Sequence, residues 1–167
     1  MFTKNADFKA WPLEICENIF IFSRWIMVIV SACLLGENCK YNGGNNYSEQ
    51  IESRLRDKEI IPVCPEVLAG LGVPREPIEL KGGVPYRIDG ACLERELSEA
   101  IHKIKKMIEG KDIEYAVLKS RSPTCGAKQI YDGSFTHTLT DGMGILAKAL
   151  SDMGIKVFDS EDFVSVR

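Results

Sequence analysis

From residue 27 onward, short β-branched apolar runs alternate with segments whose apolar residues recur at helical spacing. That alternation predicts an α/β fold built on a parallel sheet. Two further observations support it: the first run is apolar without interruption, as in a strand buried on both faces, and Gly- and Pro-rich loops come after several of the runs. Met27–Cys33 (MVIVSAC) is the first strand, leading into the loop LLGENCKYNGGNNY. Ser48–Lys58 is a short polar helix with Ile51 and Leu55 on one face. Glu59–Val63 (EIIPV) is the second strand, and a long loop containing CPEVLAGLGVPREP leads to KGGVPYRIDG, a turn-rich small hairpin. Ala91–Glu109 is a helix with a stripe of Leu93, Leu97, Ile101, Ile104 and Ile108, ended by Gly110. Tyr115–Lys119 (YAVLK) is the third strand, with SRSPTCGAKQIYDG as its loop. Thr140 is expected to cap a helix over Asp141–Met153, and Ile155–Phe158 is the fourth strand. Right-handed crossovers then give a three-layer, Rossmann-like open parallel sheet of about four strands with flanking helices.

The 167 residues suit a single domain, and 45% apolar with 27% charged residues is the balance of an ordinary globule. A net charge of −3 without a basic block argues against bulk nucleic acid as a partner. Ile19 to Leu35 (IFIFSRWIMVIVSACLL) resembles a membrane span, and Val30 to Cys33 resembles a lipoprotein cleavage box. However, Arg24 lies within the run, and Asp7, Glu14 and Glu17 make the leader mixed in charge. A cytoplasmic protein with no membrane partner is expected. Residues 1–26 show no clear period and read as an N-terminal extension outside the chemistry, with Met27 a candidate natural start and residues 27–167 the functional domain. Cys16 belongs to that extension and reads as an incidental thiol.

Six cysteines (Cys16, Cys33, Cys39, Cys64, Cys92 and Cys125) are too few for a secreted disulfide scaffold. Placed on the strands, three of them converge. Cys33 ends the first strand, Cys64 comes directly after the second, and Cys125 lies six residues beyond Lys119 at the end of the third. Open parallel sheets bind ligands beyond the carboxyl ends of their strands, so three thiols remote in sequence are expected at one rim. A free cysteine alone is usually packing; a trio beside Gly and Pro in rim loops points to a shared inorganic centre. Cys92, opening a helix away from these loops, reads as packing. Cys39 reads as either a fourth ligand or a spare thiol. Three thiolates suit zinc with one open position, or a [4Fe-4S] cluster with one iron lacking a protein ligand.

The blocks SACLLGENCKYNGG (31–44), PVCPEVLAGLGVPREP (62–77), KSRSPTCG (119–126) and TDGMGILAKAL (140–150) occur in this order from Met27 to the C-terminus. They resemble the TudS-type thiouracil desulfidase family, in its single-domain form. The resemblance implies non-redox desulfuration of 2- or 4-thiouracil to uracil, with release of hydrosulfide, at a [4Fe-4S] cluster. Its three ligands map onto Cys33, Cys64 and Cys125, and its open iron takes the substrate sulfur. Cys39 falls where the family supplies no ligand. A small thiolated pyrimidine and the iron–sulfur assembly machinery are the implied partners. One departure stands out: the family commonly has Asp where this chain has Asn42, which cannot act as a base.

Water attack at the C–S carbon needs acid/base groups. Glu66, two residues past Cys64, is the first candidate, and its plainer reading is a carboxylate paired with Arg75. Ser120 and Ser122, ahead of Cys125, are candidates for orienting water or the pyrimidine edge, or else turn formers. Lys119 and Arg121 read as anion binders or solvated charges, and Tyr41 as a stacking or packing ring. Gly43, Gly44 and Gly126 are expected to let the backbone approach the cluster through φ > 0. His102 and His137 receive no role. The rival readings are a [4Fe-4S] hydro-lyase, which would use Arg75 and Arg121 to bind carboxylates, and a non-catalytic iron–sulfur or zinc module.

Overall fold

The computed structural model describes residues 26–165. The expected extension and Cys16 lie outside them, except that Ile26 already belongs to the first strand. In chain order the elements are β1 (Ile26–Ser31), a 3-10 turn (Ala32–Leu35), α1 (Glu49–Arg54), β2 (Glu59–Val63), α2 (Pro65–Leu68), β3 (Ile78–Lys81), β4 (Val84–Arg87) and α3 (Glu94–Ile108). The second half adds β5 (Asp112–Leu118), β6 (Gln129–Tyr131), β7 (Leu139–Asp141), α4 (Ile145–Asp152), β8 (Lys156–Asp159) and α5 (Ser160–Ser165).

Strands β2-β1-β5-β8 form one sheet, and every pairing in it is parallel. Alternation along the strands divides the core into two faces. Ile29, Ala116 and Leu118 pack with Ile101, Ile104 and Ile108 of α3 and with Leu146, Ala147 and Leu150 of α4. Val28, Val30 and Val117 pack on the other face with Ile51 and Leu55, joined by Phe163 and Val164 of α5. The expected three-layer α/β architecture is therefore the observed one. The chain leaves β1 toward β2 on one side and returns to β5 on the other, so the order reverses between β1 and β5. Ligand crevices form at such a reversal, outside the carboxyl ends of the strands.

Several local expectations need correction. Thr140 does not cap a helix: it lies in β7, and α4 begins only at Ile145, after Gly144. The reason is a close approach, since a Cβ on Gly144 would meet the Thr124 carbonyl carbon at 2.5 Å and Cys125 N at 2.8 Å. Only glycine lets the start of α4 press against the segment carrying Cys125. The loop after β5 also contains β6, which pairs with β7, and both are three residues long, too short for a periodic signal. α5 lacks an apolar repeat and is held by Phe163, whose ring lies 5.9 Å from Tyr115 and 5.7 Å from Phe158. Cys92 is exposed rather than packed, at the join between β4 and α3. Among the described residues no helix is long and apolar enough to cross a membrane.

Candidate active site

β1, β2 and β5 end at one rim, and the segments leaving their carboxyl ends build a cavity of about 390 Å³. Cys33, Cys64 and Cys125 all line it, as do Glu66, Ser120 and Ser122. Each thiol is placed by a different local device. Cys33 sits in the 3-10 turn directly after β1, its carbonyl accepting the N–H of Gly36 and of Asn46. Cys64 precedes α2, whose first turn is started by Pro65 and carries Glu66. Cys125 sits in a turn held by Ser122 Oγ, which accepts from Thr124 N at 3.2 Å and Cys125 N at 3.0 Å. The cysteines are free thiols, with Cys33 and Cys125 buried. Cys39 joins them in the lining, and Arg75 donates to its carbonyl at 3.0 Å.

Burial raises the pKa of every one of these thiols. Cys125 is pushed up to about 12, first by burial and then by the Glu66 carboxylate. Cys64 is raised by the same two causes, whereas at Cys33 the Asn46 side chain, donating to Sγ at 3.4 Å, works against burial. The thiolates of such a group are favoured only with positive charge between them. Among the described residues, no three His, Cys, Asp or Glu side chains are grouped to hold a metal ion.

Glu66 stands at the centre of the polar network. One carboxylate oxygen takes the Arg75 guanidinium and lies 3.9 Å from Cys64 Sγ; the other accepts from Thr124 Oγ1 at 2.9 Å. The pair is shielded, with Arg75 and Glu66 side chains only 8% and 13% exposed. Thr124 spends its proton on Glu66, so the 3.1 Å contact between Ser122 Oγ and Thr124 Oγ1 has Ser122 as donor. Ser122, Thr124 and Glu66 thus form one hydrogen-bonded line. Ser120 is committed elsewhere: its hydroxyl donates to the buried Asp159 and lies 2.8 Å from Ser160 Oγ, joining β5 to β8 and α5.

Lys119 lines the cavity and donates one Nζ proton to the Ser120 carbonyl, whereas Arg121 is held by a two-pronged pair with Glu161 at 2.9 and 2.7 Å. Tyr41 lines the cavity and stays half exposed. Among the three glycines, Gly43 alone has φ > 0; Gly126 is required instead because a Cβ would meet Gln129 O at 2.6 Å and Ser122 O at 2.9 Å. Asn42 is exposed, outside the cavity lining, and its Oδ1 accepts from Gly44 N at 3.1 Å. Aspartate would accept the same bond, so Asn42→Asp is expected to leave turnover within about twofold, as measured by steady-state kinetics.

Sequence reasoning missed Asn46 and Thr124; nothing in their spacing marks them, and each reaches the site through a contact distant in sequence.

Comparison with known proteins agrees with this architecture. The uncharacterised protein YbbK of Bacillus subtilis is 32% identical, over 81% of this chain and 97% of its own. The structure of TudS, a [4Fe-4S]-dependent thiouracil desulfidase, superposes with a TM-score of 0.77 at 30% identity, covering 84% of this chain and 94% of that one. Residues 28–162 match the family model described as 2-thiouracil desulfurase. The chain therefore belongs to the 2-thiouracil desulfurase family.

Proposed function

We propose that this chain removes sulfur from a small thiolated pyrimidine, of the 2- or 4-thiouracil class, at a [4Fe-4S] cluster held by Cys33, Cys64 and Cys125. The observation that carries the reading is the meeting of these thiols with Glu66 in one cavity at the sheet's reversal point. The donor set fits such a group. Three sulfurs from three crossovers, lining one cavity, are soft ligands for iron. When bound, a cluster with three protein thiolates offers one iron as a soft Lewis acid toward the substrate sulfur.

The chain's own residues supply the proton chemistry. The net change is C=S plus water giving C=O plus hydrogen sulfide, which leaves as hydrosulfide and a proton. Glu66 accepts the proton of the attacking water. Arg75 fixes that carboxylate in place, and the hydrogen-bonded line through Thr124 to Ser122 orients it further. Ser120 fastens the end of β5, from which the loop carrying Cys125 leaves, to Asp159 and Ser160. Asn46 donates to the sulfur of Cys33, which lowers the cost of charge on it. The protein's partners in this reading are the pyrimidine and the assembly machinery that delivers the cluster. A hydro-lyase would want arginines free for carboxylates, and both candidates already hold a glutamate.

Anaerobically loaded protein mixed with 2- or 4-thiouracil is expected to release hydrosulfide and uracil in equal amounts. Loaded protein that releases neither contradicts the reading.

A further inference from the structure

We infer that His137 is a specificity-determining residue that hydrogen-bonds the polar edge of the pyrimidine remote from its sulfur; this rests on the function proposed above. The sheet rim supplies the thiols, whereas Tyr131, at the end of β6, and His137, in the connection to β7, reach the same cavity. His137 both lines the cavity and is exposed, which puts it at the mouth.

Its backbone is in the left-handed region, φ 61°, a conformation that favours glycine. The surrounding loop holds it there. Glu79, only 7% exposed, accepts the N–H of Gly133 at 3.1 Å and of Phe135 at 2.9 Å on one oxygen. Gly133 lies so close to β3 that a Cβ would meet Lys81 Cβ at 2.6 Å. Hydroxyls of Ser134, Thr136 and Thr138 link across the loop at 2.7 and 2.9 Å. A buried carboxylate and a row of hydroxyls thus fasten a segment that carries an imidazole where glycine would fit more easily. Phe135 in the same loop shares the left-handed backbone (φ 58°), so it is the place of His137 on the cavity wall that points to use of its side chain.

The imidazole itself is uncommitted within the described residues. Its ring meets Tyr131 edge-on at 6.4 Å and 79°, and it makes no hydrogen bond. Neutral imidazole carries one donor and one acceptor, which suits a ring edge of alternating N–H and C=O.

The test compares wild type, His137→Gly and His137→Asn in loaded enzyme, with iron and sulfide content measured in each. Glycine relieves the left-handed strain, so a folding defect is not expected. Its KM for thiouracil should rise about five- to tenfold, with kcat within about twofold and cluster content unchanged. Asparagine, which tolerates this conformation and keeps a donor and an acceptor, should recover most of the affinity. An unchanged KM in His137→Gly, a fall in kcat beyond about twofold, or loss of cluster would each overturn the inference while leaving the functional reading intact. Failure of wild type to release hydrosulfide would remove both.

Discussion

Serine in place of Cys33, Cys64 or Cys125 is expected to abolish cluster and hydrosulfide release together. Hydroxyl oxygen is a hard, weakly acidic donor, and iron in a sulfide environment takes it poorly where it takes thiolate well. Each of the three thiols comes from a separate crossover, and the one other thiol in the lining among the described residues, Cys39, lies on the loop that follows Cys33. The brown absorbance of the loaded protein should vanish, and activity should fall more than about a hundredfold. Cys92→Ser, exposed at the join of β4 and α3, should keep both. Cys39→Ser should keep its iron and sulfide, because the three other thiols suffice. Melting of the metal-free variants controls for folding: replacing a buried thiol by a hydroxyl costs roughly 1–3 kcal/mol, within the stability of a typical domain.

Glu66→Gln is expected to keep the cluster and lose about 10²- to 10⁴-fold in kcat, the usual worth of a positioned general base. Glutamine preserves shape but cannot take a proton from water. It also places an NH₂ group against either Arg75 or Thr124, both of which now donate to the carboxylate. A second outcome is equally readable. If Glu66 serves only to neutralise Arg75, the variant melts earlier and turns over at the wild-type rate. That would move the base elsewhere along the cavity wall. Removing one partner of a shielded ion pair costs about 3–5 kcal/mol, so melting falls in either case and kcat separates the two roles.

Much of this site was legible in the sequence, because its principal atoms sit where strands end. The uninterrupted apolar run at Met27–Cys33 and the EIIPV run fix two strand ends, and the parallel topology carries their cysteines to one rim. The two faces of the sheet were legible for the same reason: Val28 and Val30 alternate with Ile29. The wall around the thiols was not. Glu66 and Arg75 pair over nine residues, Thr124 meets Glu66 across 58, and Glu79 holds a loop more than 50 residues away. No periodicity encodes such contacts. The β6 and β7 strands are too short to leave a pattern, and the start of α4 lies at a close approach of Gly144 to Thr124 visible only in three dimensions. Asn42 illustrates the converse: its chemistry looked consequential in sequence, and its position on an exposed turn gives it a local task.

The central claim is that Cys33, Cys64 and Cys125 together grip one polynuclear iron–sulfur core. Its most direct test is quantification of iron, acid-labile sulfide and zinc in the anaerobically purified chain. About four irons and four sulfides per chain are expected, as for a [4Fe-4S] centre. A colourless protein carrying a single zinc and no sulfide would contradict it.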